Sequence, residues 1–129
     1  MAQVTIFGVR ERLGPVRTAL SAAIHAAVMD ALEYPPEKRF QRFIQLDPED
    51  FLFPDDRTDR YTIIEISLFE GRSVEAKKRL IRELFRRIPE ATGIGTADIE
   101  VTIFETPRHN WGIRGVPGDE LGLTYRVEV

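Results

Sequence analysis

The run Tyr61-Thr62-Ile63-Ile64-Glu65-Ile66-Ser67-Leu68-Phe69-Glu70-Gly71-Arg72-Ser73 joins a strand, a tight turn and a helix start. Tyr61 to Phe69 is rich in β-branched and aromatic residues, the composition of a strand. Gly71-Arg72-Ser73 supplies the turn, and Ser73 is a preferred helix N-cap. Leu80, Ile81, Leu84, Phe85 and Ile88 then recur at helical spacing as a core-facing stripe. Pro89 and Gly93 are expected to stop that helix. Asp98 to Glu105 reads as the next strand, so this half of the chain is strand, helix, strand.

The same pattern stands 60 positions earlier. Val4-Thr5-Ile6 lines up with Ile64-Glu65-Ile66 (64 − 4 = 60). Leu20, Ile24 and Val28 line up with Leu80, Leu84 and Ile88, Phe43-Ile44 with Ile103-Phe104, and Arg12 with Arg72. The first copy opens as a strand near residue 2. Gly14-Pro15 is expected to start its helix, since proline suits the first turn. The helix runs through about Leu32, Tyr34-Pro35-Pro36 ends it, and Arg39 to Leu46 is the second strand. Asp47 to Arg60 is a polar loop with Phe51-Leu52-Phe53 as an apolar anchor. Thr106 to Glu120 is a second loop. Leu123, Tyr125, Val127 and Val129 alternate with polar residues, which predicts a short C-terminal strand.

The fold class that follows is α/β (α+β). Duplicated β-α-β units, spanning about 2–47 and 62–107, form a four-stranded sheet with both helices on one face. Residues 1–129 are expected to be a single domain. The other sheet face, with Thr5, Phe7, Glu65 and Ser67, is left uncovered. That predicts homo-oligomerisation with cyclic symmetry, the C-terminal strand and Phe51-Leu52-Phe53 reaching a neighbour.

Composition narrows the function classes. The 129 residues carry a net charge of −3, against a nucleic-acid partner, which needs a clustered cationic surface. Arg79, Arg82, Arg86 and Arg87 form a basic stripe that reads as a solvated helix face. No apolar run approaches the ~20 residues of a membrane span, and no secretory segment is seen. The absence of cysteine excludes disulfides and fits a cytoplasmic location. The acids of 47–59 lack the spacing and glycine of a calcium loop, so no metal site is expected.

Several pieces resemble one family, the tautomerase superfamily. They are Glu70-Gly71-Arg72-Ser73, Ala23-Ile24-His25 and Asn110-Trp111-Gly112-Ile113-Arg114-Gly115, on a chain of two β-α-β units. The resemblance is to the longer-chain relatives of 4-oxalocrotonate tautomerase, of the malonate semialdehyde decarboxylase and cis-3-chloroacrylic acid dehalogenase kind. It covers nearly the whole chain. It implies a homotrimer with pockets between subunits, no cofactor, and a small carboxylate-bearing substrate. It also implies an N-terminal proline base, exposed by loss of Met and set beside carboxylate-binding arginines. This chain departs from that pattern. Ala2 stands where the family has proline, Lys38 where decarboxylases place an Asp, and Met29 where dehalogenases place a His. Of the paired arginines before the second helix only Arg72 is kept, with Phe69 and Glu70 preceding it.

Each candidate residue carries two readings. Ala2 offers a primary amine if Met1 is removed, able to act as a base or to form a Schiff base; otherwise it is a strand-edge residue. Arg72 holds a substrate carboxylate in a guanidinium fork, or pairs with an acid such as Glu75. Trp111 and Arg114 wall the pocket and clamp a carboxylate, or they pack a tight loop. Lys38 and Arg39 line the pocket, or solvate a strand end. His109 reads as a solvated loop residue, and His25 as a satisfied, partly buried one. Two functions stay open: a tautomerase acting on a small oxo-acid or enol carboxylate, and a catalytically degenerate oligomer that binds a small anion or serves a structural role.

Overall fold

The computed structural model describes residues 1–129. Strand β1 (Ala2–Val9) leads directly into helix α1 (Arg10–Leu32), followed by β2 (Gln41–Leu46). Strand β3 (Thr62–Phe69), helix α2 (Val74–Thr92) and β4 (Ile99–Thr106) repeat the order. A two-stranded hairpin, β5 (Gly112–Ile113) with β6 (Val116–Pro117), follows in the second loop. The sheet order is β2-β1-β3-β4, with β1 parallel to β2, β3 parallel to β4, and β1 antiparallel to β3.

The register carries the 60-residue offset into space. Val4 pairs with Gln41 and Ile64 with Val101, so both parallel ladders have the same stagger (41 − 4 = 101 − 64 = 37). Thr5 pairs with Glu65, its own counterpart in the repeat. A local twofold axis therefore passes through that pair and relates the two halves.

The core lies between the sheet and the helices. Alternate strand residues Val4, Ile6, Ile64, Ile66 and Leu68 are buried on one face, as the two-residue period requires. They meet Leu20, Ile24 and Val28 of α1 and Leu80, Leu84 and Ile88 of α2. The opposite face is open, and Phe104 and Ile44 are exposed there. The basic stripe of α2 is a solvated face held by ion pairs: Arg79 to Asp30 at 3.1 Å, and Arg86 and Arg87 to Glu83 at 2.7 and 2.9 Å. No helix is long and apolar enough to cross a membrane.

Three local expectations are corrected. Helix α1 starts at Arg10, so Pro15 lies inside it rather than in its first turn. Its missing N–H forfeits the bond to the Glu11 carbonyl on the exposed side, which the helix tolerates. Pro89 likewise lies inside α2, which ends only at Gly93, whose φ of 79° suits glycine. Leu123–Val129 forms no strand; it runs as a strap over the N-terminus, with Val127 buried against Met1 and Phe69. The Phe51-Leu52-Phe53 anchor holds its loop to the chain itself: Phe51 and Phe53 pack on Tyr61 at ring-centroid distances of 5.3 and 5.4 Å, and Leu52 is the exposed member of the three.

Candidate functional site

The local twofold makes Arg12 and Arg72 equivalent, and their surroundings separate them. Arg12 is exposed and its Nε donates to Asp59 at 2.8 Å. Arg72 is only 5% exposed and pairs with no carboxylate, Glu75 included. Its Nη1 donates weakly to the Phe69 carbonyl at 3.4 Å, and its Nε and Nη2 have no partner. Buried donors are nearly always satisfied, so a guanidinium left this way is a costly feature that folding alone does not require.

Arg72 is set in place by its neighbours in sequence. Ser73 caps α2, accepting the Ala76 N–H at 3.1 Å. Gly71 adopts a φ of 133°, and a Cβ there would meet Val127 Cγ1 at 3.0 Å. That glycine lets the C-terminal strap lie across the turn, where the Ser73 N–H donates to the Val129 carbonyl at 2.9 Å.

The strap brings the chain's first residue to this turn. Met1 is buried against Phe69 and Val127, with Trp111, Ile113, Leu123 and Tyr125 around them. The Phe69 N–H donates to the Met1 carbonyl at 3.2 Å. The Ala2 N–H donates to the Tyr34 hydroxyl at 3.1 Å. Trp111 stands edge-on to Phe69 at 5.1 Å, and its buried indole N–H has no partner. Arg108 lies over the Phe69 ring at 5.6 Å and pairs with Glu128 of the strap at 3.1 Å.

These surroundings set the protonation of the amine. Burial, then the charges of Arg72, Arg108 and Lys38, push the N-terminal ammonium of Met1 down from 8.0 to about 4. The amine is therefore neutral at physiological pH. Burial lowers the Arg72 guanidinium and raises the Tyr34 phenol, which stays protonated. In the window between about 4 and 8.0 the unfolded amine binds a proton that the folded one refuses, so stability falls as pH drops. Denaturation midpoints are expected to decline from pH 8 to pH 6 more steeply with a free amine than after Nα-acetylation. Equal slopes would show that the amine is not buried as described.

The structure thus gathers Ala2, Arg72, Trp111 and Lys38 around one end of the sheet. Arg39 is exposed and reaches Ser21 of α1 at 3.4 Å, away from the amine. Arg114 is exposed at the hairpin tip with a φ of 49°. His25 is buried, with Nε2 2.7 Å from the Pro36 carbonyl, and His109 is exposed. Tyr34, Tyr125 and Arg108 also belong to the site and are missed by the sequence reading. Tyr34 reads there as part of a helix stop, and only the equivalent Ile94 (34 + 60 = 94) hints that the position is special.

The twofold mate of this site is a cavity of about 110 Å³ lined by Gly8, Leu13, Arg12, Asp59, Thr62 and Ile94. It has no chain-terminal amine, since Thr62 stands in the Ala2 position (62 − 2 = 60), and its arginine is neutralised.

The duplicated β-α-β chain thus holds its buried terminal amine near a guanidinium that has no carboxylate partner. The chain belongs to the tautomerase enzyme family, whose model matches residues 38–114, more than half its length. The 2-hydroxymuconate tautomerase of Comamonas testosteroni is 45% identical over 58 residues, 45% of this chain and 92% of that protein. That relative is therefore about half as long as this chain, the size of one repeat. A malonate semialdehyde decarboxylase structure inhibited by 3-bromopropiolate superposes with a TM-score of 0.71 at 26% identity, covering 85% of this chain and 87% of that one. A fused 4-OT, solved as an asymmetric trimer, superposes at 0.82 with 21% identity, covering 94% and 99%.

Proposed function

We propose that this protein is a tautomerase acting on a small oxo-acid or enol carboxylate through the primary amine of Ala2 after Met1 is removed. The observation that carries the reading is Arg72, buried with two unpartnered nitrogens beside the chain's first residues. The guanidinium fork would grip the carboxylate. The neutral amine would take a proton from the enol hydroxyl and return it to carbon, a transfer that leaves the atom count unchanged. Lys38 and Arg108 would keep the amine unprotonated and stabilise the intermediate enolate charge. Trp111 would wall the pocket, and Arg114 would reach the pocket of a neighbouring subunit. A homotrimer is the assembly proposed, since the open sheet face needs a cover and fused 4-OT is a trimer.

A second reading is favoured by Met1 itself. Its side chain fills the space between Phe69 and Val127, and its carbonyl is hydrogen-bonded. If Met1 is retained, the protein is an oligomer that binds a small anion without turning it over. Intact-mass measurement on protein from its native host separates the two, since retained Met1 sinks amine catalysis. With Ala2 first, phenylenolpyruvate ketonisation is expected, and Ala2→Pro should accelerate it about tenfold or more. Inactivity of both proteins would rule out the tautomerase reading.

A further inference from the structure

We propose that Tyr34 is a positioning residue for the N-terminal nitrogen. Its hydroxyl holds one N–H of Ala2 and restricts the second hydrogen and the lone pair of the freed amine to the side now filled by Met1. The proposal rests on the amine reading above, and it concerns a residue outside the stretch matched by the family model.

The geometry at the nitrogen is simple. In the intact chain the Ala2 nitrogen bears its Cα, a hydrogen and the Met1 carbonyl carbon. The hydrogen is donated to Tyr34 Oη at 3.1 Å in a buried bond. Hydrolysis of the Met1–Ala2 bond leaves a tetrahedral amine bearing Cα, two hydrogens and a lone pair, with one of those positions along the former bond to the carbonyl carbon. That direction opens between Phe69 and Val127, with Trp111 and Tyr125 at its margin. A nitrogen free to rotate would spread its lone pair over three directions. One tethered through an N–H to a buried phenol leaves the lone pair two directions, both turned away from Tyr34, which narrows the alignment a proton transfer needs.

Tyr34 is well fixed for this task. It is 4% exposed and follows the left-handed Glu33 that ends α1. Its N–H donates to the Met29 carbonyl at 3.3 Å, and its ring stands edge-on to Tyr125 at 5.0 Å. The fold does not demand a hydroxyl here. At the twofold-related position Ile94, 3% exposed, packs the same corner without one.

The charges around the nitrogen give the hydroxyl a second consequence. Arg72 from the β3–α2 turn, Arg108 after β4 and Lys38 before β2 all lower the Met1 ammonium one residue away, and would act in the same sense on an Ala2 amine. Glu128 pairs with Arg108 and Glu105 with Lys77, so neither carboxylate is free to oppose them. Tyr125 lies behind Tyr34. The Tyr34 oxygen is a hydrogen-bond acceptor for the ammonium, so it keeps the amine more basic than the cations alone would.

The test uses the full chain beginning at Ala2, prepared by cleaving an N-terminal tag. The readout is the pH midpoint of reductive methylation of the terminal amine by formaldehyde and cyanoborohydride, followed by peptide mass. Tyr34→Phe should lower the midpoint by about one pH unit, the size of a lost charge-assisted hydrogen bond. An unmoved midpoint in a folded variant overturns the proposal and leaves Tyr34 as a packing residue. Should Tyr34→Phe fail to fold, 3-fluorotyrosine placed at 34 supplies a weaker acceptor of nearly the same shape. It should move the midpoint the same way by less, and no movement overturns the proposal. The measurement needs no turnover. A moved midpoint with no phenylenolpyruvate activity sinks only the tautomerase reading, and activity with an unmoved midpoint sinks only the role of Tyr34.

Discussion

Arg72→Met should leave the protein at least as stable as the wild type while weakening pyruvate binding by about a hundredfold or more. The two halves of this expectation have one cause. Arg72 is buried, lacks a carboxylate partner and leaves Nε and Nη2 unsatisfied. Desolvating that charge opposes folding, and methionine of similar length removes the cost while filling the space. A carboxylate ligand, by contrast, would lose its bidentate fork. Arg72→Lys should fall between, keeping a charge but losing the planar geometry. Thermal melts and titration calorimetry with pyruvate check the pair of outcomes. A destabilisation of about 3 kcal/mol or more, as when a paired buried charge loses its partner, would mark Arg72 as a structural residue.

Phe69→Ala is expected to cost about 3–5 kcal/mol in folding free energy, the range for a fully buried aromatic truncated to alanine. The ring is fully buried, packs with Met1 and Val127, and meets Trp111 edge-on at 5.1 Å. Arg108 lies over its face at 5.6 Å. Its loss should therefore loosen three parts at once: the strap, the tryptophan and one cation acting on the amine. Water entering the cavity should let the terminal ammonium rise from about 4 back toward 8.0. Chemical denaturation gives the stability loss and amine-labelling midpoints give the second effect. A loss under about 1 kcal/mol would mean that the corner collapses without it.

The repeat was legible because folding itself imposes it. A strand of period two and a helix of period 3.6 must each bury one face, so Val4, Ile6, Ile64 and Ile66 declare themselves by spacing. The turn chemistry of Gly71-Arg72-Ser73 was legible for the same local reason. The ends of elements were less so. Pro15 and Pro89 read as boundaries, yet both helices run through them, because packing of α1 on α2 outweighs one forfeited backbone bond. The C-terminal alternation was taken for a strand, although alternation states only which side chains turn inward, not whether an edge is available to pair with.

The site divides in the same way. Arg72, Trp111 and Lys38 could be named from motif and position, as could the absence of proline at Ala2. Tyr34, Arg108 and Tyr125 could not, since they meet the amine across 32 residues or more of chain and carry no local signature.

By itself, the sequence determined that two equivalent β-α-β arms exist and which residues of each face the core, because hydrophobic spacing is a local property. Repeat spacing matched Arg12 with Arg72, and the turn motif marked Arg72 as the candidate. The tertiary structure supplied the physical difference between them. It set Asp59 against one and buried the other under the C-terminal strap, next to the single chain end that can carry an amine. Charge neutralisation and burial depend on which distant segments arrive at a position, and that is settled only when the chain is folded.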